Sequence, residues 1–290
     1  MNKWNKLIIV TFIITIFLFC SINVQQITVH AASGTKVEVV YSSYNDTDTN
    51  NQLTHQTDLT MADMDNTSTA ATIVVDPSIT YQQWDGFGGS LEDDTIWELG
   101  RLSSSDKEDV LNDLFNPATG NNYTLMRLSI GACDFSPDYD SSISPDKGYW
   151  TYDDNDGNAD SNLTNFSIQR DIDDGVIETL LEVLEINPDV RFFASMWSPP
   201  AWMKTNGTLV NGGHVQSQYY SALANYYVKY IQAYEDEGIP IYAVTLQNEP
   251  AISVGYPSTI WSVDEYVSFA QVLGAAFESN NIKTKNMGSV

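Results

Sequence analysis

The sequence predicts an α/β protein whose main body, residues 82–290, is a (β/α)8 TIM barrel of which about the first four βα units are present. Short apolar runs of strand character alternate with amphipathic helical segments, which is typical of a parallel sheet with helical crossovers. Polar or aromatic residues follow successive strands, as at the functional end of such barrels, namely Asp134, Trp197 and Glu249. No G-x-G-x-x-G or G-x-x-x-x-G-K-[ST] motif favours a doubly wound nucleotide-binding sheet instead.

Four strands are predicted in order in this region. They lie in Trp84–Gly89, Tyr123–Ile130, Val190–Met196 and the run that starts at Ile241. The last run is apolar and β-branched and then becomes polar at Gln247-Asn248-Glu249. It must end at or before Glu249, because Pro250 has no amide hydrogen for a central ladder.

Four helices are predicted between and after these strands. The first is expected to begin at the N-cap Ser105, with a capping box to Glu108. The other three carry apolar residues at helical spacing: Ile177, Leu180, Leu181 and Leu184; Tyr220, Leu223, Ala224, Tyr227, Val228, Ile231 and Tyr234; Phe269, Ala270, Leu273 and Phe277. Gly238 is placed as a C′ residue, and Ser262 as an N-cap with a capping box to Glu265.

Half a barrel leaves two parallel edges unpaired, so we expect a fragment or an open half-structure.

The region before the barrel divides into two parts, residues 1–32 and 33–81. Lys3 and Lys6 precede an apolar run that is short for a membrane span, so we expect a signal peptide and a secreted, extracellular protein, with an uncleaved anchor as the alternative. Residues 33–81 are predicted to form strands at Lys36–Tyr41 and Ala71–Val75, separated by a surface loop over 45–69. Two strands need partners to be stable.

Composition restricts the partners. The net charge is −25, and removal of the lysine-containing leader makes it more negative, which disfavours nucleic acid and anionic membranes and allows a neutral carbohydrate. Cleavage also leaves Cys133 as the single cysteine, so no internal disulfide is expected. No cofactor is predicted, and no metal site is expected because no His pair has helix spacing. The absence of a G-x-S-x-G motif leaves Ser-His-Asp catalysis without a signature. The oligomeric state is left open.

The acidic loop from Tyr152 to Asp160 suggests a calcium site by its composition. An EF-hand loop needs an acid at its first position, where Tyr152 stands, and a glutamate at its last, where Leu163 stands. A solvated or substrate-facing loop is therefore favoured.

Glu249 is the leading candidate for chemistry. Hydrolysis of a glycosidic bond needs two carboxylates, one of which donates a proton. A buried strand end is expected to desolvate Glu249, and the neighbouring Asn248 can hold a substrate hydroxyl. The sequence offers no comparable second carboxylate, since Asp134 lies in a loop where it accepts sugar hydroxyls or caps the backbone. The alternative for Glu249 is a solvated side chain in an Asn-Glu-Pro turn. For the tryptophans, Trp197 is expected to be a sugar platform and Trp202 to be core.

Four segments in order resemble glycoside hydrolase family 30, which contains glucosylceramidases, endo-β-1,6-glucanases and xylanases. They are Gly86–Ser90, Arg127 with Gly131–Ser136, Trp197–Gly207 and Thr245–Pro250. The resemblance implies a retaining mechanism with Glu249 as acid/base and Asn248 at the sugar 2-hydroxyl. It also implies that Asp134 and Trp197 line a sugar subsite and that Arg127 lies near its floor.

The resemblance also implies parts that residues 1–290 lack. The family's nucleophile is a glutamate after the seventh strand, and most of its side β-domain comes from the C-terminal end; residues 33–81 would be the N-terminal share. We therefore expect this chain alone to be inactive and the parent protein to be a glycosidase. The alternative is a non-catalytic secreted carbohydrate-binding or cell-surface protein, which an encoded glutamate after a further strand would argue against. The sugar is left open.

Overall fold

The computed structural model describes residues 34–43, 53–61, 76–136 and 148–288. Contacts divide the chain into two compact units, residues 1–80 and 81–290. Among the described residues, no helix has both the length and the apolarity to cross a bilayer.

In the described part of the first unit there are four strands of two residues each, β1 (Lys36–Val37), β2 (Val40–Tyr41), β3 (Thr54–His55) and β4 (Leu59–Thr60). Two antiparallel pairs form, β1 with β4 and β2 with β3. The single strand predicted over 36–41 is thus interrupted, and the loop predicted over 45–69 is wrong at β3 and β4. The formation of these two-residue strands depends on cross-strand pairing, which local composition does not reveal. The predicted strand 71–75 and the leader 1–32 lie outside the described residues.

The second unit is organised around a parallel sheet. Its strands are β5 (Leu125–Ile130), β6 (Arg191–Met196), β7 (Ile241–Thr245) and β8 (Lys285–Met287), hydrogen-bonded in that order. The three predicted strands are confirmed, each with a shorter extent. No strand was predicted after the last helix, and β8 corrects this. Its three residues are all exposed, so it lacks the apolar run that marks a buried strand.

The glycine-rich segment runs beside β5 and takes the place of the first predicted strand. Ser90 forms a parallel bridge with Arg127, and two backbone hydrogen bonds flank it, from Arg127 N to Gly89 O (2.9 Å) and from Leu91 N to Arg127 O (2.8 Å). The pairing is centred on residues 89–91, beyond the predicted span of 84–89. Trp84 and Phe87 are exposed, and their rings contact each other at a tilt of 53° with centroids 4.9 Å apart.

Six helices are present in the described part of this unit: α1 (Asp93–Leu99), α2 (Ser104–Phe115), α3 (Gln169–Asp173), α4 (Val176–Ile186), α5 (Tyr220–Asp236) and α6 (Val263–Ser279). The short helices α1 and α3 were not predicted. The N-cap predicted for α2 is wrong: Ser103 Oγ accepts from Asp106 N (3.1 Å), so the helix begins before Ser105. Ser103 with Asp106 provides the capping interaction two residues earlier.

Helices α5 and α6 cover the sheet and supply much of the core. Gly238, at φ +88°, follows α5 as predicted, and Ile239 N bonds to Tyr234 O (2.8 Å) in a Schellman motif. The capping box of Ser262 with Glu265 is confirmed. The predicted apolar stripes of both helices are buried, apart from the half-buried Ala270. On the shorter α4 the stripe is less complete, because Leu181 keeps 37 % of its surface exposed.

Candidate active site

Arg127 joins the carboxyl-end region of three neighbouring strands. From β5, its Nε donates to Ser195 Oγ on β6 (3.3 Å), and its Nη2 donates to Asn248 Oδ1 beyond β7 (2.5 Å). Ser195 Oγ also lies 2.7 Å from Thr245 Oγ1 on β7. The guanidinium stacks 4.5 Å from the centroid of the Trp197 ring. The sequence-predicted residues Arg127, Asn248 and Trp197 therefore form one contiguous cluster.

Trp197 is more enclosed than a sugar platform requires. Only 3 % of its surface is exposed, and Arg127 occupies one face of the indole ring. Arg127 covers one face of the indole by a cation–π contact, so a sugar would have to use the other face or the ring edge, and the role of Trp197 as a sugar platform stays a prediction. Trp202, expected to be core, is buried and packs edge-on against Tyr219 with centroids 5.2 Å apart.

Asn248 and Glu249 leave the strand in different directions. Asn248 is buried, and its backbone N donates to Met196 O at the end of β6 (2.8 Å). Glu249 has φ +46° and an exposed side chain, which corrects the expectation that a buried strand end desolvates it. The reason is local: β7 ends at Thr245, and the left-handed backbone at Glu249 turns the chain toward solvent.

Tyr256 lies near both Glu249 and Asp134. Its phenol lies close enough to both acids to feel their negative charges. Burial, followed by the negative charges of Glu249 and Asp134, raises the pKa of Tyr256, so the phenol keeps its proton. Both acids predicted from the sequence therefore lie near one phenol. Sequence reasoning missed Tyr256, which stands six residues beyond Pro250 with only a glycine and a proline beside it as turn signals.

Two hydrogen bonds from backbone amides hold the loop that carries Asp134. Ala132 N donates to Trp150 O (3.0 Å) and Cys133 N donates to Ser136 Oγ (2.9 Å), which leaves Asp134 half-buried. Cys133 is buried, and its Sγ donates to Asp93 Oδ1 (3.4 Å). Hydrogen bonds on both sides of Asp134 thus fix the backbone that carries it.

Glu92 is a buried carboxylate at the site, which sequence reasoning did not single out beside Glu249 and Asp134. It is 6 % exposed, and its Oε1 lies 3.8 Å from Arg127 Nη1. Burial raises the pKa of Glu92, the nearby charges of Asp134 and Asp94 add to this, and Arg127 opposes it. The signal was present in the sequence, since Glu92 stands two residues beyond the segment Gly86–Ser90.

Among the described residues, one group has the geometry of a candidate metal site. One ligand atom each from Glu92, Cys133 and Asp134 lies within 4.8 Å of the other two. Their chemistry fits a metal poorly. Burial, with the charges of Asp93 and Glu92, raises the pKa of the Cys133 thiol far above its ordinary value, whereas a metal needs the thiolate.

In the acidic loop, Asp154 accepts from Thr151 Oγ1 (2.7 Å) and Asp160 from Thr164 Oγ1 (2.7 Å), so the protein itself occupies oxygens of both carboxylates.

A parallel sheet wrapped by helices, with carboxylates, an amide and an arginine gathered beyond its strand ends, is the arrangement of a TIM-barrel glycoside hydrolase. The family model for the glycosyl hydrolase family 30 TIM-barrel domain matches residues 84–269. The chain belongs to glycosyl hydrolase family 30, and its main unit has the α/β TIM-barrel fold.

Individual relatives agree with this family. The chain is 36 % identical over 216 residues to endo-1,6-beta-D-glucanase neg1 of Aspergillus fumigatus, covering 69 % of this chain and 42 % of that protein. It is 30 % identical over 198 residues to the lysosomal acid glucosylceramidase of Mus musculus, covering 66 % and 36 %. Among solved structures, the endo-beta1,6-glucanase BT3312 superposes with a TM-score of 0.65 at 28 % identity, covering 83 % of this chain and 50 % of that one. The chain thus spans less than half the length of these curated relatives.

Proposed function

We propose that the protein carrying this chain is a retaining glycoside hydrolase that acts on β-linked glucosides or glucans. The observation that carries the proposal is the contact of Arg127 with Asn248, which stands directly before the Glu249 turn. This arrangement holds an amide and a carboxylate beside each other at the strand ends of a family 30 barrel.

In the proposed mechanism, Glu249 gives its proton to the glycosidic oxygen as the bond to the leaving group breaks. A second carboxylate attacks the anomeric carbon, and Glu249 then takes a proton from the water that releases the sugar. Tyr256 stands near Glu249 and keeps its phenolic proton, because burial and the neighbouring negative charges raise its pKa. Asn248 and Asp134 bind sugar hydroxyls, and Arg127 fixes Asn248.

The attacking carboxylate is proposed to lie outside residues 1–290, as the resemblance to the family implies. On this proposal, the strands of the main unit are the first part of the barrel, and residues 33–81 are part of a side β-domain. Residues 1–290 alone should then be inactive. The leader at 1–32 supports secretion, so an extracellular polymer is the preferred substrate. Two of the relatives compared above are named for β-1,6-glucan, which makes that polymer the first to test.

The decisive test compares Glu249→Gln with the unaltered protein, expressed from its complete reading frame. On a β-1,6-gluco-oligosaccharide, kcat should fall by about 100-fold or more, because the leaving alcohol then lacks its proton donor. On an aryl β-glucoside with an acidic phenol, bond cleavage needs no such help and the first turnover should stay fast. Glu237→Gln, an exposed acid at the end of α5, is the matched control. An unchanged rate on the oligosaccharide would remove Glu249 from the mechanism, and binding without hydrolysis by the unaltered protein would favour a carbohydrate-binding role.

A further inference from the structure

Glu92 has no helix-capping role that explains its burial. It occupies the N-cap position of α1, where a short polar side chain would normally accept from the first turn, yet it makes no such hydrogen bond. Asp93 and Asp94 already supply negative charge to that helix end. The Glu92 carboxylate is instead directed toward Arg127 Nη1 (3.8 Å), and its Oε2 lies 3.9 Å from Cys133 Sγ.

Arg127 has a different acceptor on each side of its guanidinium. Nε is bonded to Ser195, Nη2 to Asn248, and Nη1 is paired with Glu92. A planar guanidinium held from three directions has a single orientation, and in that orientation its face covers Trp197. Glu92 supplies the one negative charge among these three contacts.

We propose that Glu92 is a positioning residue of the sugar-binding face, which holds Arg127 in the orientation that fixes Asn248 and Trp197. The inference rests on the proposed function, because the groups it places are the proposed sugar ligands. Asp134 offers an alternative partner, because one of its carboxylate oxygens lies within 4.8 Å of one of Glu92. Without Glu92, Arg127 would turn toward the half-buried Asp134 and release Asn248.

A purely structural role for Glu92 makes a different prediction. If Glu92 served only the fold, neutralising it would leave the largely buried charge of Arg127 without its partner and would lower the free energy of unfolding. A loss of binding without a loss of stability would separate positioning from folding.

The test uses the isosteric Glu92→Gln in the protein expressed from its complete reading frame, with a β-1,6-gluco-oligosaccharide as substrate. We expect KM to rise about tenfold, the effect of losing one charge-assisted contact, while kcat changes little. Glu92→Asp keeps the charge and should restore part of the affinity. The control is Glu98→Gln on the same helix, whose acid is exposed and pairs only with Arg101 in the described chain. A KM for Glu92→Gln equal to that of the control would overturn the proposal.

A second measurement needs no turnover. The Nε–H signal of Arg127 in a ¹⁵N NMR spectrum can be assigned by its disappearance in Arg127→Lys. It should shift and exchange faster with solvent in Glu92→Gln, and it should not change in Glu98→Gln. An unchanged signal would contradict the inference even if the protein hydrolyses glucans. Conversely, if Glu249→Gln keeps full activity while this signal moves, the proposed function fails and the positioning role of Glu92 stands.

Discussion

Gly88 and Leu125 lie so close together that a Cβ atom on Gly88 would overlap the carbonyl oxygen of Leu125. This approach sets the first segment of the barrel against β5. Thr124 N and Leu125 N both donate to Phe87 O (2.8 and 3.1 Å), so the backbones are already hydrogen-bonded on either side of the glycine. Glu92 and Arg127 face each other because of this pairing.

Gly88→Ala should therefore be strongly destabilising. The added methyl group meets backbone, which cannot move aside without breaking the pairing with β5, and overpacking of this kind costs about 1–3 kcal/mol or more. Gly89→Ala is a close control, because a Cβ at the next residue has no atom within 4 Å. Denaturant unfolding of both variants measures the difference. Equal stability of the two variants would show that the segment is not held against β5 as described.

Lys204 is a buried cation that connects the loops after β6 and β7. It is 2 % exposed, and its Nζ donates to Ser198 Oγ (3.1 Å), Leu209 O (3.1 Å) and Ser258 O (2.7 Å). Trp197 and Asn248 stand at the starts of these two loops. The contacts therefore join the backbone on two sides of the candidate site.

We expect Lys204→Met to lower the free energy of unfolding by about 2–3 kcal/mol, because two buried carbonyl groups and a hydroxyl each lose a donor. The methionine fills most of the space, so the loss reports hydrogen bonding and not a cavity. Lys283→Met, at an exposed position after α6, should change stability by less than about 0.5 kcal/mol. Thermal unfolding of the two variants is the measurement, and the proposal for Lys204 is wrong if they unfold alike.

The sheet was predictable where burial leaves a local mark. Strands β5, β6 and β7 are short runs with buried apolar residues, and the stripes of α5 and α6 have helical period, so sequence alone located them. Strand β8 carries no such mark, since its residues are exposed and its pairing with β7 is a long-range event. The start of α2 was misplaced because consecutive serines offer several equivalent caps, and only the fold selects Ser103.

The site was predictable as a set of residues but not as a geometry. The strand-end rule pointed to Asp134, Trp197 and Glu249, and the family resemblance added Arg127, which lies within β5 and contacts Trp197 and Asn248. The exposure of Glu249 depends on one positive φ angle, which an Asn-Glu-Pro sequence does not announce. The contact of Glu92 with Arg127 could not be predicted from local sequence, because the two residues are 35 positions apart (127 − 92) and meet only when the segment of Glu92 pairs with β5.

Asp153 is buried in the loop after β5 without a compensating contact. It is 2 % exposed, and neither carboxylate oxygen has a hydrogen-bond partner in the described part of the chain. Burial, followed by the charges of Asp160 and Asp154, raises its pKa to about 6, and Lys229 opposes this only in part. In the unfolded chain an aspartate titrates near pH 3.9, so roughly two pH units separate the two states.

The sign of the resulting pH dependence follows from this difference. Between about pH 4 and pH 6 the folded state binds the proton and the unfolded state does not, so the contribution of Asp153 to stability decreases as the pH rises. Asp153→Asn removes the ionisable group. It should match the unaltered protein near pH 4 and exceed it by about 1–3 kcal/mol at pH 7. Denaturant unfolding across this range is the measurement, with Asp109→Asn on the exposed side of α2 as control. If the advantage of Asp153→Asn is the same at both pH values, Asp153 is not held as an uncompensated carboxylate, and another charge or a bound cation must neutralise it.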